Sequence, residues 1–247
     1  MRIFGLIGYP LSHSFSQAYF TEKFQREDIE NAKYCNFEIG DIRDFPSLLE
    51  SNRGLCGLNV TIPYKRAVIP FLDALDHPAK AIGAVNAIHF ANGQKTGYNT
   101  DWIGFQQSLK QHLKPHHKRA LILGSGGASL AVQYALKQMN IAFQVVSRTT
   151  NSENFCYKDL NDEIIGSHAL IVNTTPLGME PRTDEMPSVP LNAIGSEHLV
   201  FDLVYNPPQT RFMVEVSRRG AATLNGYEML VAQAEEAWKI WRSSVNP

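Results

Sequence analysis

Apolar and polar positions along this chain alternate in blocks that predict strands and helices in turn. The spacing in the first quarter predicts five elements. They are a strand over residues 3–8, a helix over 16–25, a strand over 34–39, a short helix over 45–50 and a strand over 57–61. Strands that alternate with helices are typical of a mostly parallel sheet with helices on its faces. The first part of the chain is therefore predicted to be an α/β domain.

The stretch from Leu121 to Arg148 contains an apolar run, a glycine-rich turn, an amphipathic segment and a second apolar run. Its turn holds Gly124, Gly126 and Gly127. Glycines allow unusual φ angles and let a pyrophosphate approach the N–H groups of a helix N-terminus, where the helix dipole favours an anion. The pattern predicts a Rossmann-type dinucleotide site. An ordinary tight connection stays open as the alternative, because Ser129 stands where the motif has its third glycine.

The end of the second strand in this unit indicates which dinucleotide is bound. An acidic residue there takes the ribose 2′-hydroxyl of NAD, whereas an arginine accommodates the 2′-phosphate of NADP. The chain has Ser147, Arg148 and Thr149 at this place and no carboxylate. The planar guanidinium and the two hydroxyls can donate hydrogen bonds to phosphate. We therefore predict NADP, with an ordinary surface arginine in a loop as the alternative.

Two junctions define the predicted domains. A polar turn near residues 99–102 leads into a helix with an apolar face, and Gly226 opens a final helix whose apolar stripe must pack against something already folded. Gln233 in that helix lies at the edge of the stripe, or projects into a cleft if the helix returns to the first domain. We predict two α/β domains: a substrate-binding and catalytic domain over 1–101, completed by 226–247, and a Rossmann dinucleotide-binding domain over 102–225.

Composition narrows the class of protein further. The chain has 247 residues, 44% of them apolar, and a formal net charge of -1, so nothing indicates a nucleic-acid partner. Cys35, Cys56 and Cys156 lack C-x-x-C spacing, which favours reduced thiols in a cytosolic protein. The histidines are scattered and predict no metal site. The apolar N-terminus is interrupted by glycine and proline, so we expect neither a signal peptide nor a membrane span, and a cytoplasmic location.

Candidate chemistry in the first domain centres on Lys65, in the segment GLNVTIPYKRAV. Pro63 suits the first position of a helix, which would place Lys65 and Arg66 in its first turn. The positive end of a helix dipole disfavours a cation, so a lysine facing a cleft there would exchange its proton near neutral pH. Both side chains reaching water is the alternative. Asp101, by contrast, is an ordinary acidic residue for the start of a helix.

Nine segments of the chain together resemble the shikimate dehydrogenases. In order, they are GYPLSHSFSQ, NVTIPYK, GAVNAI, GYNTDWIG, LGSGGAS, SRT, NTTPLGM, FDLVYNPPQT and GYEMLVAQAEEAW. They run through nearly the whole chain, so the resemblance is more specific than any single motif. It implies a substrate domain completed by the last helix, an NADP-binding Rossmann domain, and a cleft in which hydride passes between nicotinamide and the shikimate ring.

The resemblance also implies an activity and its partners. The activity is the reversible, NADP-dependent reduction of 3-dehydroshikimate to shikimate, in the biosynthesis of chorismate and the aromatic amino acids. The substrate is a small molecule, no nucleic acid, membrane or metal takes part, and the protein is expected to be a monomer or a homodimer.

Roles for single residues follow from the same resemblance. Lys65 and Asp101 form the catalytic pair. The substrate-binding residues are Ser14, Ser16, Asn59, Thr61, Asn86, Tyr205 and Gln233, of which the two serines hold the carboxylate. The cofactor-binding residues are Gly124, Ser125, Gly126, Gly127, Ala128, Ser147, Arg148, Thr149, Thr174, Gly226 and Met229. Hydroxyl donors suit a carboxylate, and convergent amides suit ring hydroxyls, so these residue types agree with their tasks.

One departure from the family pattern bears on the cofactor. Many members that use NADP have a second arginine a few residues after the first, and this chain has Ser152 there. Modest NADP selectivity is therefore expected. Two alternatives stay open: a relative that acts on quinate, or with NAD, and a dinucleotide-binding regulatory protein without turnover. The joint presence of Lys65, Asp101, Asn86 and Gln233 counts against the second alternative.

Overall fold

The computed structural model describes residues 1–11, 14–149 and 154–242. Contacts within the chain divide it into two compact units, one of Met1–Thr100 with Ala234–Pro247 and one of Asp101–Gln233. The first break falls between Thr100 and Asp101, and the second falls within the last helix.

Strands and helices follow each other along the chain with few exceptions. The strands are β1 (Arg2–Gly8), β2 (Ala32–Glu38), β3 (Leu55–Val60), β4 (Ala74–Leu75), β5 (Ala87–Ala91), β6 (Gln94–Tyr98), β7 (Arg119–Leu123), β8 (Ala142–Ser147), β9 (Asn154–Cys156), β10 (Leu170–Asn173), β11 (Leu199–Asp202) and β12 (Ala222–Leu224). The helices are α1 (Phe15–Arg26), α2 (Phe45–Ser51), α3 (His77–Ile82), α4 (Asp101–Lys110), α5 (Gly127–Gln138), α6 (Asp162–Gly166), α7 (Arg211–Ser217) and α8 (Tyr227–Arg242). The five elements predicted in the first quarter are all present.

The first unit contains a mixed sheet. Within the described residues its strand order is β2-β1-β3-β5-β6-β4. Strand β1 pairs in parallel with β2 and β3, whereas β5 runs antiparallel to β3 and β6. Asn92 and Gly93 connect β5 to β6 with φ angles of 52° and 74°. Both residue types tolerate the left-handed region that a two-residue hairpin turn needs.

Aromatic side chains fill the core on one face of this sheet. Phe4, Phe20, Trp238 and Trp241 are buried in one cluster, which joins β1, α1 and the end of α8. The Trp241 Nε1–H donates to the Ile88 carbonyl at 3.0 Å, which satisfies the buried polar atom of that ring. The last turns of α8 are therefore an integral part of the first unit.

A buried ion pair adds to this attachment. The Lys23 ammonium on α1 is almost fully buried and lies 2.8 Å from the Glu235 carboxylate on α8 and 2.7 Å from Glu27. The Tyr19 hydroxyl also donates to Glu235. A buried charge without a partner would be costly, and the two carboxylates compensate the cost of burying Lys23.

The second unit is a fully parallel α/β layer structure. Over the described residues its strand order is β12-β11-β10-β7-β8-β9, and every strand pair in it is parallel. From β9 backwards this is the 3-2-1-4-5-6 order of dinucleotide-binding folds. Residues 148–153 alone separate β8 from β9, whereas a parallel crossover usually takes about a dozen residues or more. The predicted α/β class and the Rossmann-type domain are confirmed.

Candidate active site

Several predicted substrate residues lie at the carboxyl ends of β1 and β3 in the first unit. Ser14 and Ser16 follow β1 and open α1, while Asn59 and Thr61 stand at the end of β3. The carboxyl ends of adjacent parallel strands meet at one edge of a sheet, and ligands bind along that edge. The fold therefore brings these four residues to the same edge.

Ser14 has an unsatisfied hydroxyl at this edge. It is the N-cap residue of α1, yet its side chain makes no capping hydrogen bond. Its Oγ is buried and has no hydrogen-bond partner among the residues that the structure describes. A buried hydroxyl in that condition costs free energy unless a ligand supplies the partner. Ser14 thus fits an anionic or polar ligand at the start of α1.

A hydrogen-bonded chain of buried side chains extends from Ser16 into the sheet. The Ser16 side chain hydrogen-bonds the Tyr34 hydroxyl, and that hydroxyl donates to Asn59 Oδ1 at 2.8 Å. Asn59 Nδ2 in turn lies 3.3 Å from the Asn86 carbonyl. Burial raises the pKa of Tyr34, so the phenol keeps its proton and acts as a donor. The sequence analysis missed Tyr34, which follows the ordinary pattern of an aromatic residue in a strand.

Asn86 uses both ends of its amide to hold the turn before α4. Its Nδ2 donates to Thr100 Oγ1 at 2.9 Å, and its Oδ1 accepts from the Thr100 N–H at 2.6 Å. Asn99 Nδ2 donates to the Ala84 carbonyl at 2.9 Å. All three polar side chains are buried. The backbone immediately before Asp101, the buried first residue of α4, is thereby fixed. Neither Asn99 nor Thr100 was predicted as a site residue.

Lys65 lies in a turn and not in a helix. Residues 62–63 and 65–68 are in turns, so the helix predicted to start at Pro63 is wrong, and the helix dipole gives no reason for special chemistry at Lys65. The Lys65 carbonyl accepts from the Val85 N–H at 2.7 Å, a bond to a distant segment that replaces an intrahelical one. The side chain of Lys65 is half-buried, whereas that of Arg66 is exposed. The two neighbouring cations therefore have different environments.

In the second unit, the glycine turn after β7 has the geometry expected of a phosphate loop. Gly124 has a φ angle of 108°, and a Cβ at this position would come within 2.7 Å of Thr174 Oγ1. Only glycine satisfies both conditions. The Gly124 N–H donates to the Val146 carbonyl at 2.8 Å, and Thr174 Oγ1 donates to the Leu123 carbonyl at 2.8 Å. The turn is thus held to both neighbouring strands.

The N-terminus of α5 follows directly after this turn. No side chain caps it, and its N-cap residue is Gly126. Apart from Gly126 and its neighbours in the chain, none of the described residues has an atom within 4 Å of the position that a Cβ of Gly126 would take. An uncapped N-terminus of a 12-residue helix with open space before it fits a bound phosphate. Ser129, in place of the third glycine, is fully buried and accepts from Gln133 Nε2 at 3.1 Å.

Arg148, the predicted 2′-phosphate ligand, is exposed immediately after β8. Its neighbour Ser147 is buried, and the Ser147 hydroxyl donates to the Thr149 carbonyl at 2.5 Å, so that proton is used within the turn. The Tyr157 hydroxyl is buried without a hydrogen-bond partner in the described part of the chain. Burial raises the pKa of Tyr157 to about 12, against a smaller opposite effect of the Arg148 charge. Ser152 lies outside the described residues.

The remaining predicted residues lie on the loop after β11 and on the first half of α8. A Cβ on Gly226 would overlap the Leu203 carbonyl, so the close approach of these segments requires glycine. Tyr205 on the same loop is half-buried, and burial raises the pKa of its hydroxyl. Met229 is buried in the core of the second unit. Gln233 is also buried, and its Nε2 donates to the Leu230 carbonyl at 2.7 Å.

The described residues contain neither a candidate metal site nor a membrane-spanning helix. No group of three or more His, Cys, Asp or Glu side chains in these residues could hold a metal ion. In the same residues, no helix combines the length and the apolar character that crossing a bilayer requires. Cys35, Cys56 and Cys156 are free and half-buried.

The parallel sheet and the glycine turn define a dinucleotide-dependent class of protein, and comparisons with known proteins identify the family. A family model described as the shikimate dehydrogenase substrate binding domain matches residues 6–88. A Staphylococcus epidermidis protein named shikimate dehydrogenase (NADP(+)) is 38% identical over 249 residues, which cover 96% of this chain and 91% of that protein. The chain belongs to the shikimate dehydrogenase family.

Solved structures agree with this assignment. The crystal structure of shikimate 5-dehydrogenase from Thermus thermophilus in complex with NADP(H) and shikimate has a TM-score of 0.87 and 31% identity, covering 98% of this chain and 93% of that one. A 5-ketofructose reductase of a Gluconobacter strain has a TM-score of 0.83 and 27% identity, covering 97% of this chain and 92% of that one. The same fold therefore also serves a protein named for a different carbonyl compound.

Proposed function

We infer that this chain is an NADP-dependent oxidoreductase that interconverts 3-dehydroshikimate and shikimate, a step of the shikimate pathway. The observation that carries this conclusion is the identity of 34–38% between nearly the whole chain and several proteins named shikimate dehydrogenase (NADP(+)). The uncapped N-terminus of α5 and the unsatisfied Ser14 hydroxyl support it from the structure, because they fit a phosphate and a carboxylate respectively.

NADP fits the residues of the second unit. The N–H groups of the turn from Gly124 to Ala128 would hold the pyrophosphate, and Arg148 would hold the 2′-phosphate. Gly226 and Met229 would lie near the nicotinamide, as the family resemblance implies, and Thr174 would also bind the cofactor. When bound, NADPH supplies the hydride that reduces the substrate carbonyl.

The substrate is assigned to the polar residues of the first unit. Ser14 and Ser16 would bind the carboxylate with their hydroxyls, and Asn59 and Thr61 would bind ring hydroxyls. The family resemblance adds Asn86, Tyr205 and Gln233 to this set. The buried hydrogen bonds of Tyr34 and Thr100 fix the Asn59 and Asn86 amides before any ligand binds. These amides therefore lose little conformational entropy when the ligand binds.

Proton transfer is assigned to Lys65. In the direction of reduction, its ammonium donates a proton to the carbonyl oxygen as that oxygen gains negative charge, and in the direction of oxidation its amine accepts the proton from the hydroxyl. The family resemblance makes Asp101 the acidic member of this catalytic pair. The half-buried position of Lys65, beside the exposed Arg66, supports the choice of the first cation and not the second.

The decisive experiment is a turnover assay of the purified protein with shikimate or quinate, each combined with NADP+ or NAD+. The absorbance of the reduced nicotinamide gives the rate. Fast turnover confined to shikimate with NADP+ is the expected result. Turnover of quinate, or equal rates with NAD+, would instead make the protein a relative of broader specificity, and binding of NADP+ without turnover of any substrate would favour a regulatory protein.

A second candidate function is the reduction of a polyhydroxylated ketone without a carboxylate. The similarity to a 5-ketofructose reductase favours including it. A hydroxyl of such a substrate can also hydrogen-bond the buried Ser14 hydroxyl, so Ser14 does not separate the two candidates. Adding 5-ketofructose with NADPH to the assay separates the two candidates, because only this substrate lacks the carboxylate.

Domain roles, location and assembly belong to the same proposal. Residues 1–101, completed by 226–247, are assigned to substrate binding, and 102–225 to dinucleotide binding. The protein is expected to be cytoplasmic, without a nucleic-acid partner, and a monomer or a homodimer. Light scattering during size-exclusion chromatography measures the last property directly.

A further inference from the structure

Asn173, Asp202 and Thr210 form a hydrogen-bonded group that we name the Asp202 cluster. Asn173 ends β10, Asp202 ends β11, and Thr210 is the N-cap of α7. Asn173 Nδ2 donates to Asp202 Oδ1 at 2.9 Å, and Thr210 Oγ1 donates to Asp202 Oδ2 at 2.7 Å. All three side chains have no exposed surface. The cluster lies at the carboxyl edge of the parallel sheet, where dinucleotide folds bind their ligand.

Asp202 is a buried carboxylate that is surrounded by neutral donors. The Val204 N–H makes the third hydrogen bond to it, at 3.1 Å. Burial raises the pKa of Asp202 to about 6, and the three hydrogen bonds from Thr210, Val204 and Asn173 oppose that rise. Within the described part of the chain, no other charged group contributes to this change in pKa. Such a carboxylate is costly to bury, so its retention at this position calls for a reason other than packing.

The donor pattern supplies that reason. An ionised carboxylate has acceptor sites on both oxygens, so it accepts all three hydrogen bonds together. An amide nitrogen, or a carboxyl protonated on Oδ2, would instead donate to Thr210 Oγ1, which already accepts from the Met213 N–H at 3.3 Å, and the Thr210 O–H would lose the acceptor that it has in Asp202. The hydrogen bonds therefore favour the ionised form of Asp202, whereas burial disfavours it.

The bonds of the Asp202 cluster lead to the loops that hold the assigned cofactor residues. Asn173 Oδ1 accepts from the Thr175 N–H at 3.0 Å and from the Thr175 hydroxyl at 2.6 Å, which fixes the loop after β10 next to Thr174. On the other side, the Val204 carbonyl accepts from the Gly226 N–H at 3.1 Å, which joins the loop after β11 to the start of α8. One carboxylate thus links segments that come from three elements.

We propose that Asp202 is a positioning residue that holds the loops after β10 and β11 in the arrangement that receives the nicotinamide half of the dinucleotide. This inference rests on the proposed function. Asp202 acts through Asn173, Val204 and Thr210. It reaches the ligand only through the loop that carries Thr174 and, by way of the Val204 carbonyl, through Gly226 in the turn between β12 and α8.

The test measures the dissociation constant of NADP+ by calorimetry from pH 5 to pH 8, for the wild type and for Asp202→Asn. The 2′-phosphate of NADP+ titrates in the same range, but its effect is common to both proteins and cancels in their ratio. At pH 8 the variant is expected to bind about tenfold more weakly, as for the loss of one buried hydrogen bond to a charged group. The ratio is expected to shrink as the pH falls through about 6, because Asp202 of the wild type becomes protonated.

Three further variants make the test independent of the folding of Asp202→Asn. Thr210→Val removes one donor and is expected to weaken NADP+ binding about threefold to tenfold, and Thr210→Ser keeps the hydroxyl and is expected to restore it. Asp184→Asn alters an exposed acidic residue of the loop after β10 and is the matched control. A role in stability alone would lower the melting temperature of Thr210→Val without changing its NADP+ affinity.

The inference would be overturned if the wild type and Asp202→Asn had equal dissociation constants for NADP+ at every pH. Equal NADP+ affinities of Thr210→Val and Thr210→Ser would also overturn it. Turnover is measured separately. If the wild type oxidises no shikimate while its NADP+ affinity follows the expected pH pattern, the proposed function fails and the inference about Asp202 stands. If turnover is found and the pH pattern is absent, the proposed function stands and the inference about Asp202 fails.

Discussion

Each of the two units contains a buried polar network, but the two networks differ in charge. In the first unit, Ser16, Tyr34, Asn59, Asn86 and Thr100 form a series of hydrogen bonds among neutral groups. In the second unit, the Asp202 cluster is organised around a carboxylate. Both networks are buried, and both fix the backbone next to residues assigned to ligands.

Because of this difference, the substrate side (the neutral network of the first unit) and the dinucleotide side (the Asp202 cluster of the second unit) are expected to respond differently to pH. Amides and aliphatic hydroxyls do not titrate between pH 4 and 9, and burial raises the pKa of Tyr34, so the geometry of the substrate side is expected to be independent of pH in that range. The pKa of Asp202 is raised to about 6, so the geometry of the dinucleotide side is expected to change near that pH. Variants in each unit can test this contrast.

The largest expected effect is on the catalytic step assigned to the first unit. Lys65→Ala removes the proposed proton donor and is expected to lower kcat by about 100-fold to 10,000-fold, the usual contribution of general acid catalysis. Steady-state kinetics in both directions measure it. Arg66→Ala changes the adjacent, exposed cation and is the matched control, expected to keep turnover near that of the wild type. Near-native kcat in a correctly folded Lys65→Ala protein would show that another group transfers the proton.

The second effect concerns the stability of the second unit. The pKa of Asp202 in the folded protein is about 6, above its ordinary value of 3.8, so the folded state binds this proton more tightly than the unfolded state. Protonation of Asp202 therefore adds to the free energy of unfolding. This contribution is fully present below about pH 4 and is lost as the pH rises through about 6. The loss is at most about 3 kcal/mol.

Urea denaturation of the wild type and of Asp202→Asn between pH 4 and pH 7 measures this loss. The free energy of unfolding of the wild type, taken relative to the variant, is expected to fall over that range, because the amide does not titrate. Two curves that stay parallel from pH 4 to pH 7 would mean that Asp202 does not titrate there.

A Tyr34 variant tests the network of neutral groups in the first unit. Tyr34→Phe leaves Asn59 Oδ1 without its donor, which costs about 1–3 kcal/mol of stability. We also expect the KM for shikimate to rise, by about the same factor at pH 6 and pH 8, because no titrating group is lost. Tyr64→Phe removes a similar buried bond, from the Tyr64 hydroxyl to the Ile39 carbonyl, on the other face of the sheet. This control should lose stability but keep the KM; equal rises in KM for both variants would contradict the assignment.

The two sides also differ in how much of them the sequence predicts. The dinucleotide side depends on residues that are consecutive, such as Gly124 to Gly127 and Ser147 to Thr149, so the local pattern of strand, turn and helix is enough to locate it. The network on the substrate side joins strands that are far apart in the chain. Tyr34 follows the alternation of a half-buried strand, and that alternation gives the face of the side chain but not its partner Asn59.

The wrong helix at Pro63 has a similar cause. Local propensity favours a helix start there, but a bond between the Lys65 carbonyl and the Val85 N–H satisfies that carbonyl from a distant segment. Asp202 was missed for another reason. Its place at the end of an apolar strand is visible in the sequence, whereas the donors that converge on it come from β10 and from the cap of α7. Tertiary contacts, and not local preference, decide both positions.

The smallest expected effect is on the choice of dinucleotide. Arg148 is exposed, so its contact with a 2′-phosphate is a solvent-accessible ion pair and is worth about 1–2 kcal/mol. Arg148→Ala is therefore expected to lower kcat/KM for NADP+ by about fivefold to thirtyfold, while kcat/KM for NAD+ stays within about twofold. Arg218→Ala, at an exposed arginine paired with Glu215 on α7, is the control. Equal losses with both dinucleotides would place Arg148 outside the 2′-phosphate site. The selectivity would then have to come from other groups near the end of β8, such as the buried Tyr157 hydroxyl.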